Sequence, residues 1–181
     1  MTNKTAYFMG FAEHAASASK DPTKVGAALI GPDGTLRATG YNGPPRGVRD
    51  LPERFERPAK YLFASHAEAN LIAFCARDGI TTDACTVYVT HMCCAACART
   101  LIQAGIARVV YGPGETSMPP EEFEAARVMF KEAGLVVFPS NHPLALPASG
   151  PAGAGRSAAA PSRGVRRTQE PESPAAQASS P

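Results

Sequence analysis

The sequence predicts an α/β fold in three layers, α/β/α, with a mixed five-stranded sheet and helices on both faces. Three observations predict it. Apolar patterns of helical and of strand period alternate along residues 1–142. The first two strand-like runs are joined by a tight turn, and the later ones by helical runs suited to crossovers. The chain, 181 residues with 44% hydrophobic and 19% charged, has the composition of one globular domain with an appendage.

Each element has a local reason. Lys4–Ser17 places Tyr7, Phe8, Phe11 and Ala15 at helical spacing. Lys24–Ile30 reads as a strand, Pro32-Asp33-Gly34 as a turn and Leu36–Tyr41 as the return strand of a hairpin. Asn42–Pro58 is rich in Pro, Gly and charge and reads as a long loop, a length usually reserved for function. His66–Arg77 is a helical run that offers Ala69, Leu71, Ile72, Ala73 and Phe74 for packing. Thr86–Thr90, β-branched and aromatic, is a strand. Cys94–Ala104 is a helix closed near Gly105, Arg108–Tyr111 a strand, Pro120–Ala133 a helix closed by Gly134, and Leu135–Phe138 the last strand.

Charge and composition narrow the partners. Residues 1–142 carry 14 Lys and Arg against 14 Asp and Glu, so the body is neutral. A neutral body disfavours a groove that tracks duplex DNA, which needs clustered cations. The net +2 resides in residues 143–181, through Arg156, Arg163, Arg166 and Arg167 against Glu170 and Glu172. That segment has seven prolines, ten alanines and no aromatic residue, and is expected to be a disordered tail. No run approaches the ~20 apolar residues of a membrane span. Met1–Phe11 lacks a basic stretch followed by an apolar one, so no secretory signal is expected and the protein reads as cytoplasmic. The five cysteines are odd in number and three of them, Cys93, Cys94 and Cys97, lie within five positions, a metal or redox cluster rather than a disulfide framework.

Chemistry concentrates in His66-Ala67-Glu68 and Cys94-Ala95-Ala96-Cys97, each at the start of a predicted helix. Two cysteines three apart at a helix N-terminus can aim both sulfurs at one ion, and the helix dipole there favours the thiolate that binds metal. His66 can supply a third ligand from the neighbouring helix. Three protein ligands leave the open position of a catalytic zinc site, where a bound water falls from a pKa of ~15.7 towards ~7. Glu68, two residues beyond His66, can lie beside the metal and carry protons to a ring nitrogen and a leaving amine. Either fragment alone also fits a redox dithiol, a structural zinc half-site or an ordinary core histidine. Together they match the zinc-deaminase signature H-x-E followed by P-C-x-x-C, with Cys93 in place of the usual proline.

At these residues the chain resembles the cytidine/deoxycytidylate deaminase superfamily, most nearly the dCMP deaminases. Ser19-Lys20-Asp21-Pro22 with Lys24-Val25-Gly26-Ala27, and Gly40-Tyr41-Asn42-Gly43 with Pro45 and Gly47, resemble the family's opening motifs. Lys60-Tyr61 ahead of His66-Ala67-Glu68-Ala69-Asn70, and Leu101–Ile106 ahead of Val109-Val110-Tyr111, extend the likeness over roughly residues 5–138. The resemblance implies a cytidine-deaminase-like fold in residues 1–142 and hydrolysis of dCMP to dUMP and ammonia. It implies zinc on His66, Cys94 and Cys97, and Glu68 as the catalytic proton carrier. For substrate it implies Asn42 at the sugar or base and Ser19 and Lys20 near the phosphate. Ser19 and Lys20 could equally cap and solvate the first helix, and Arg46 and Arg49 are alternative phosphate ligands. It further implies dCTP and dTTP as candidate effectors and a homo-oligomer. Rival readings are a deaminase of cytidine, guanine, or adenine or cytosine in RNA, and a non-catalytic relative that keeps zinc for folding.

Overall fold

The computed structural model describes residues 4–142; the expected tail, 143–181, lies outside the described residues. The elements run α1 (Lys4–Ser17), β1 (Gly26–Ile30), β2 (Leu36–Tyr41), α2 (Lys60–Phe63), α3 (Ala67–Asp78), β3 (Thr86–His91), α4 (Ala95–Gln103), β4 (Arg108–Gly114), α5 (Pro120–Glu132) and β5 (Val136–Pro139). The sheet order is β2-β1-β3-β4-β5. β1 is antiparallel to both β2 and β3, and β3-β4-β5 are parallel. This is the mixed five-stranded sheet that the alternating patterns predict.

The period of two along the central strands divides the core. Ala27 and Leu29 of β1, Val87 and Val89 of β3 and Val109 of β4 pack with Leu71 of α3, Leu101 of α4 and Phe130 of α5. The residues between them, Ala28, Ile30, Tyr88 and Val110, pack against Phe8, Met9 and Ala12 of α1. Helices α3, α4 and α5 thus share one face and α1 covers the other. Successive crossovers that step across the sheet in one direction with one handedness must lie on the same face. Burying each of Leu71, Leu101 and Phe130 stabilises the fold by about 1.5–3 kcal/mol.

Two glycines let helices approach the sheet. A Cβ on Gly26 would collide with the Ala12 carbonyl and the Ala16 amide of α1. A Cβ on Gly40 would lie 2.8 Å from both the Ala67 carbonyl oxygen and the Leu71 amide nitrogen, so the missing side chain seats α3 against β2.

Three departures from expectation exceed one residue at an element end. β1 begins at Gly26 rather than Lys24, because the Asn42 side chain takes the backbone groups that would extend the ladder. Its Oδ1 accepts from the Val25 N–H at 2.8 Å and its Nδ2 donates to the Thr23 carbonyl at 2.8 Å. β4 continues through Gly112 and Pro113 to Gly114, past its expected end at Tyr111. The long loop carries a 3-10 turn at Pro52–Arg54 and gives way to the four-residue helix α2, too short to leave a periodic pattern.

Candidate active site

The site lies where β3 hands over to α4, beside the start of α3. His66 and Cys94 each occupy the residue before the first turn of a helix, with extended backbone (φ −73°, ψ 157° and φ −77°, ψ 172°). Neither side chain caps its own helix, so imidazole and sulfur are free to turn towards each other. The Ala95 N–H at the start of α4 is satisfied by Glu122 Oε2 from α5, at 3.1 Å.

The three donor atoms converge. His66 Nδ1 lies 3.4 Å from Cys94 Sγ and 3.4 Å from Cys97 Sγ. All three lie within 4.8 Å of one another, the only such cluster of metal-binding side chains among the described residues. Zinc–nitrogen and zinc–sulfur bonds of ~2.1 and ~2.3 Å at a tetrahedral angle put nitrogen and sulfur about 3.6 Å apart. The observed spacing and the one-nitrogen, two-sulfur donor set therefore fit zinc. Electrostatics agree. A hydrogen bond from Cys97, with help from His66, holds the Cys94 thiol down to about 4. Cys97 is pushed up, first by the same hydrogen bond and then by burial. The hydrogen bond to Cys94 likewise raises His66.

Glu68 sits in the first turn of α3 and is buried. Burial pushes its carboxyl above the ordinary value, because the charged form loses its water. The buried Cys93 thiol hydrogen-bonds this carboxyl and is itself pushed well up by burial. Cys93 stands outside the donor cluster.

A cavity of about 150 Å³ opens over these groups, lined by His66, Glu68 and Cys94 and, further out, by Asn42, Lys60 and His91. Of the residues expected to meet substrate, Asn42 reaches this cavity, although its amide also holds the 23–25 segment. Ser19 is buried and donates to the Asn42 carbonyl at 2.8 Å. Lys20 pairs with Asp50 at 2.7 Å and lines a separate cleft with Tyr41 and Arg46. Neither lines the cavity. Three lining residues carry polar chemistry for which sequence reasoning found no role. Lys60 reaches buried Asp21 at 2.9 Å. Arg57 bonds Ser117 Oγ across the opening. His91 Nδ1 lies 2.8 Å from Thr90 Oγ1. The only sequence signal for Lys60 was its place in the Lys60-Tyr61 pair; Arg57 left none.

A buried carboxylate beside one imidazole and two sulfurs, at the floor of a small cavity in an α/β/α sandwich, has the donor set and the proton carrier of a metal-dependent hydrolase. Comparison with known proteins specifies it further. The family described as "Cytidine and deoxycytidylate deaminase zinc-binding region" matches residues 2–113. An uncharacterised deaminase encoded in the luxG 3′ region of Aliivibrio fischeri is 39% identical over 134 residues, 72% of this chain and 88% of that protein. The deoxycytidylate deaminase of Mus musculus is 36% identical over 136 residues, 71% of this chain and 75% of that protein. A crystal structure of dCMP deaminase from cyanophage S-TIM5, in complex with dCMP and dUMP, superposes with a TM-score of 0.63 at 25% identity, covering 77% of this chain and 98% of that one. The chain belongs to the cytidine and deoxycytidylate deaminase family.

Proposed function

We propose that this protein hydrolyses dCMP to dUMP and ammonia. The observation that carries the reading is the convergence of His66, Cys94 and Cys97 beneath the cavity, with Glu68 buried beside them. Its support is the likeness to deoxycytidylate deaminases in sequence and to a dCMP- and dUMP-bound deaminase in fold. His66 Nδ1, Cys94 Sγ and Cys97 Sγ would hold zinc. When bound, zinc supplies Lewis acidity that makes a water-derived nucleophile available near neutral pH.

Glu68 does the proton work. Its raised affinity for a proton suits a group that must both take one and return it. It accepts a proton from the attacking water and gives it to N3 as oxygen adds to C4 of cytosine. It then moves a second proton from the new hydroxyl to the amino group, the C4–N bond breaks and ammonia leaves. The carbonyl of the uracil ring and the regenerated carboxylate complete the balance. Asn42, at the cavity wall, is our candidate for the sugar contact.

The same reading takes the cleft of Lys20, Tyr41 and Arg46 as the place to look for a dCTP or dTTP response. It takes the working protein as a cytoplasmic homo-oligomer, and 1–142 as the catalytic domain with no catalytic part for 143–181. Among the described residues no helix is long and apolar enough to cross a membrane. The test is ammonia release from dCMP, CMP, dCTP, deoxycytidine and guanine, with and without dCTP. Turnover of dCMP well above the others is expected; preference for guanine or for the free nucleoside overturns the reading.

A further inference from the structure

We infer that Arg57 reads the 5′-phosphate of the substrate and so sets the preference for nucleotide over nucleoside. The inference rests on the proposed deamination of a cytosine nucleotide and adds the residue that recognises its charged end.

The substrate has two ends of different chemistry. The ring must place C4 over the donor cluster, so the phosphate points away from it, towards the opening. A phosphomonoester carries nearly two negative charges there and needs a cation. Besides the histidines, the cavity lining contains two cations, Lys60 and Arg57. Lys60 is already neutralised. Its Nζ lies 2.9 Å from Asp21 Oδ1, and the two side chains are 15% and 1% exposed. Arg57 differs. Among the described residues no carboxylate forms an ion pair with it. Its guanidinium bonds Ser117 Oγ and lies 6.0 Å from the centre of the Tyr61 ring. It is thus an uncompensated charge held across the cavity mouth. One side is the segment before α2 and the other is the segment between β4 and α5. A planar fork of donors in that place matches two phosphate oxygens, and the hydroxyls of Ser117 and Thr116 line the same wall.

Lys20, expected near the phosphate, pairs with Asp50 and lines the separate cleft rather than this cavity, which leaves Arg57 for that role.

The experiment compares wild type, Arg57→Ala, Arg57→Lys and Arg127→Ala as zinc-loaded full-length protein. The last removes an exposed guanidinium from α5 and controls for loss of net charge. A charge-assisted phosphate contact corresponds to a loss of about 10- to 100-fold. Arg57→Ala should lower kcat/KM for dCMP by that factor and leave deoxycytidine within about two-fold. Arg57→Lys should recover part of the loss, and Arg127→Ala should leave the ratio unchanged. Equal losses on nucleotide and nucleoside would mean that Arg57 only holds the loops together, and would overturn the inference. So would an unchanged ratio. A second readout, equilibrium binding of dUMP against deoxyuridine, separates this inference from the proposed function. If wild type does not deaminate dCMP but Arg57→Ala still abolishes a dUMP preference, the function falls and the phosphate assignment stands. If wild type binds dUMP no better than deoxyuridine, the phosphate assignment falls.

Discussion

The floor and the rim of the cavity are built in different ways. The floor consists of helix starts: Glu68, Cys94 and Cys97 are 4%, 3% and 2% exposed and packed among the core residues of α3, α4 and β3. The rim consists of loop and a four-residue helix, where Tyr61 and Leu62 are 62% and 85% exposed. Reacting groups need fixed positions, which rigid elements supply. Recognition of the outer part of a substrate can be entrusted to segments that vary at little cost to the core. Substitutions in the floor should therefore stop chemistry for every substrate, and substitutions in the rim should change which substrate is favoured.

The sharpest break of this comparison is at the ligands. Cys94→Ser and Cys97→Ser should each lose zinc, measured by metal analysis of purified protein, and turnover with it. Retention of zinc by either variant would remove that sulfur from the donor set. Next in size is Glu68→Gln. It keeps the shape and removes the proton carrier, so zinc content should be unchanged while kcat falls by about 10²–10⁴-fold. Normal turnover would take Glu68 out of the mechanism.

Gly40→Ala tests whether the floor depends on the seating of α3. A methyl group 2.8 Å from the Ala67 carbonyl and the Leu71 amide must push the helix that carries Glu68 away from β2. Overpacking of this kind costs about 1–3 kcal/mol in urea unfolding. A displacement near 1 Å at the catalytic group can cost up to about 10²-fold in turnover. Loss of stability without loss of kcat would show that the floor tolerates movement of its helix.

The same contrast explains what the sequence revealed. The floor was legible because its residues sit on elements with clear local signals: the β-branched and aromatic run Thr86–Thr90 places β3, and the donor types at His66, Cys94 and Cys97 admit few other chemistries. The rim was not. Its helix α2 spans four residues, and the role of Arg57 depends on Ser117, which lies 60 residues away in sequence. Lys20 shows a distant pairing of the same kind. The motif around it is similar to the family's, but Asp50 draws its ammonium into another cleft. No local pattern encodes such a pairing.

Cys93 offers the smallest and most discriminating test, because it borders both the ligand set and the proton carrier. Its thiol is fully buried and hydrogen-bonds the Glu68 carboxyl. A thiol is a weak donor, so it orients Glu68 and contributes little else. Cys93→Ala should keep full zinc and lose about 3- to 10-fold in kcat, with KM for dCMP unchanged, as expected for one modest hydrogen bond to a group acting in the transition state. Cys93→Pro, with the residue usual at this position in the family, separates orientation from simple filling of space. It also lacks the thiol, so it should match Cys93→Ala if the hydrogen bond matters. Wild-type kcat in the proline variant would show that packing alone holds Glu68. Loss of zinc in the alanine variant would place a third sulfur in the donor set and dissolve the distinction between ligand and neighbour on which the floor has been described.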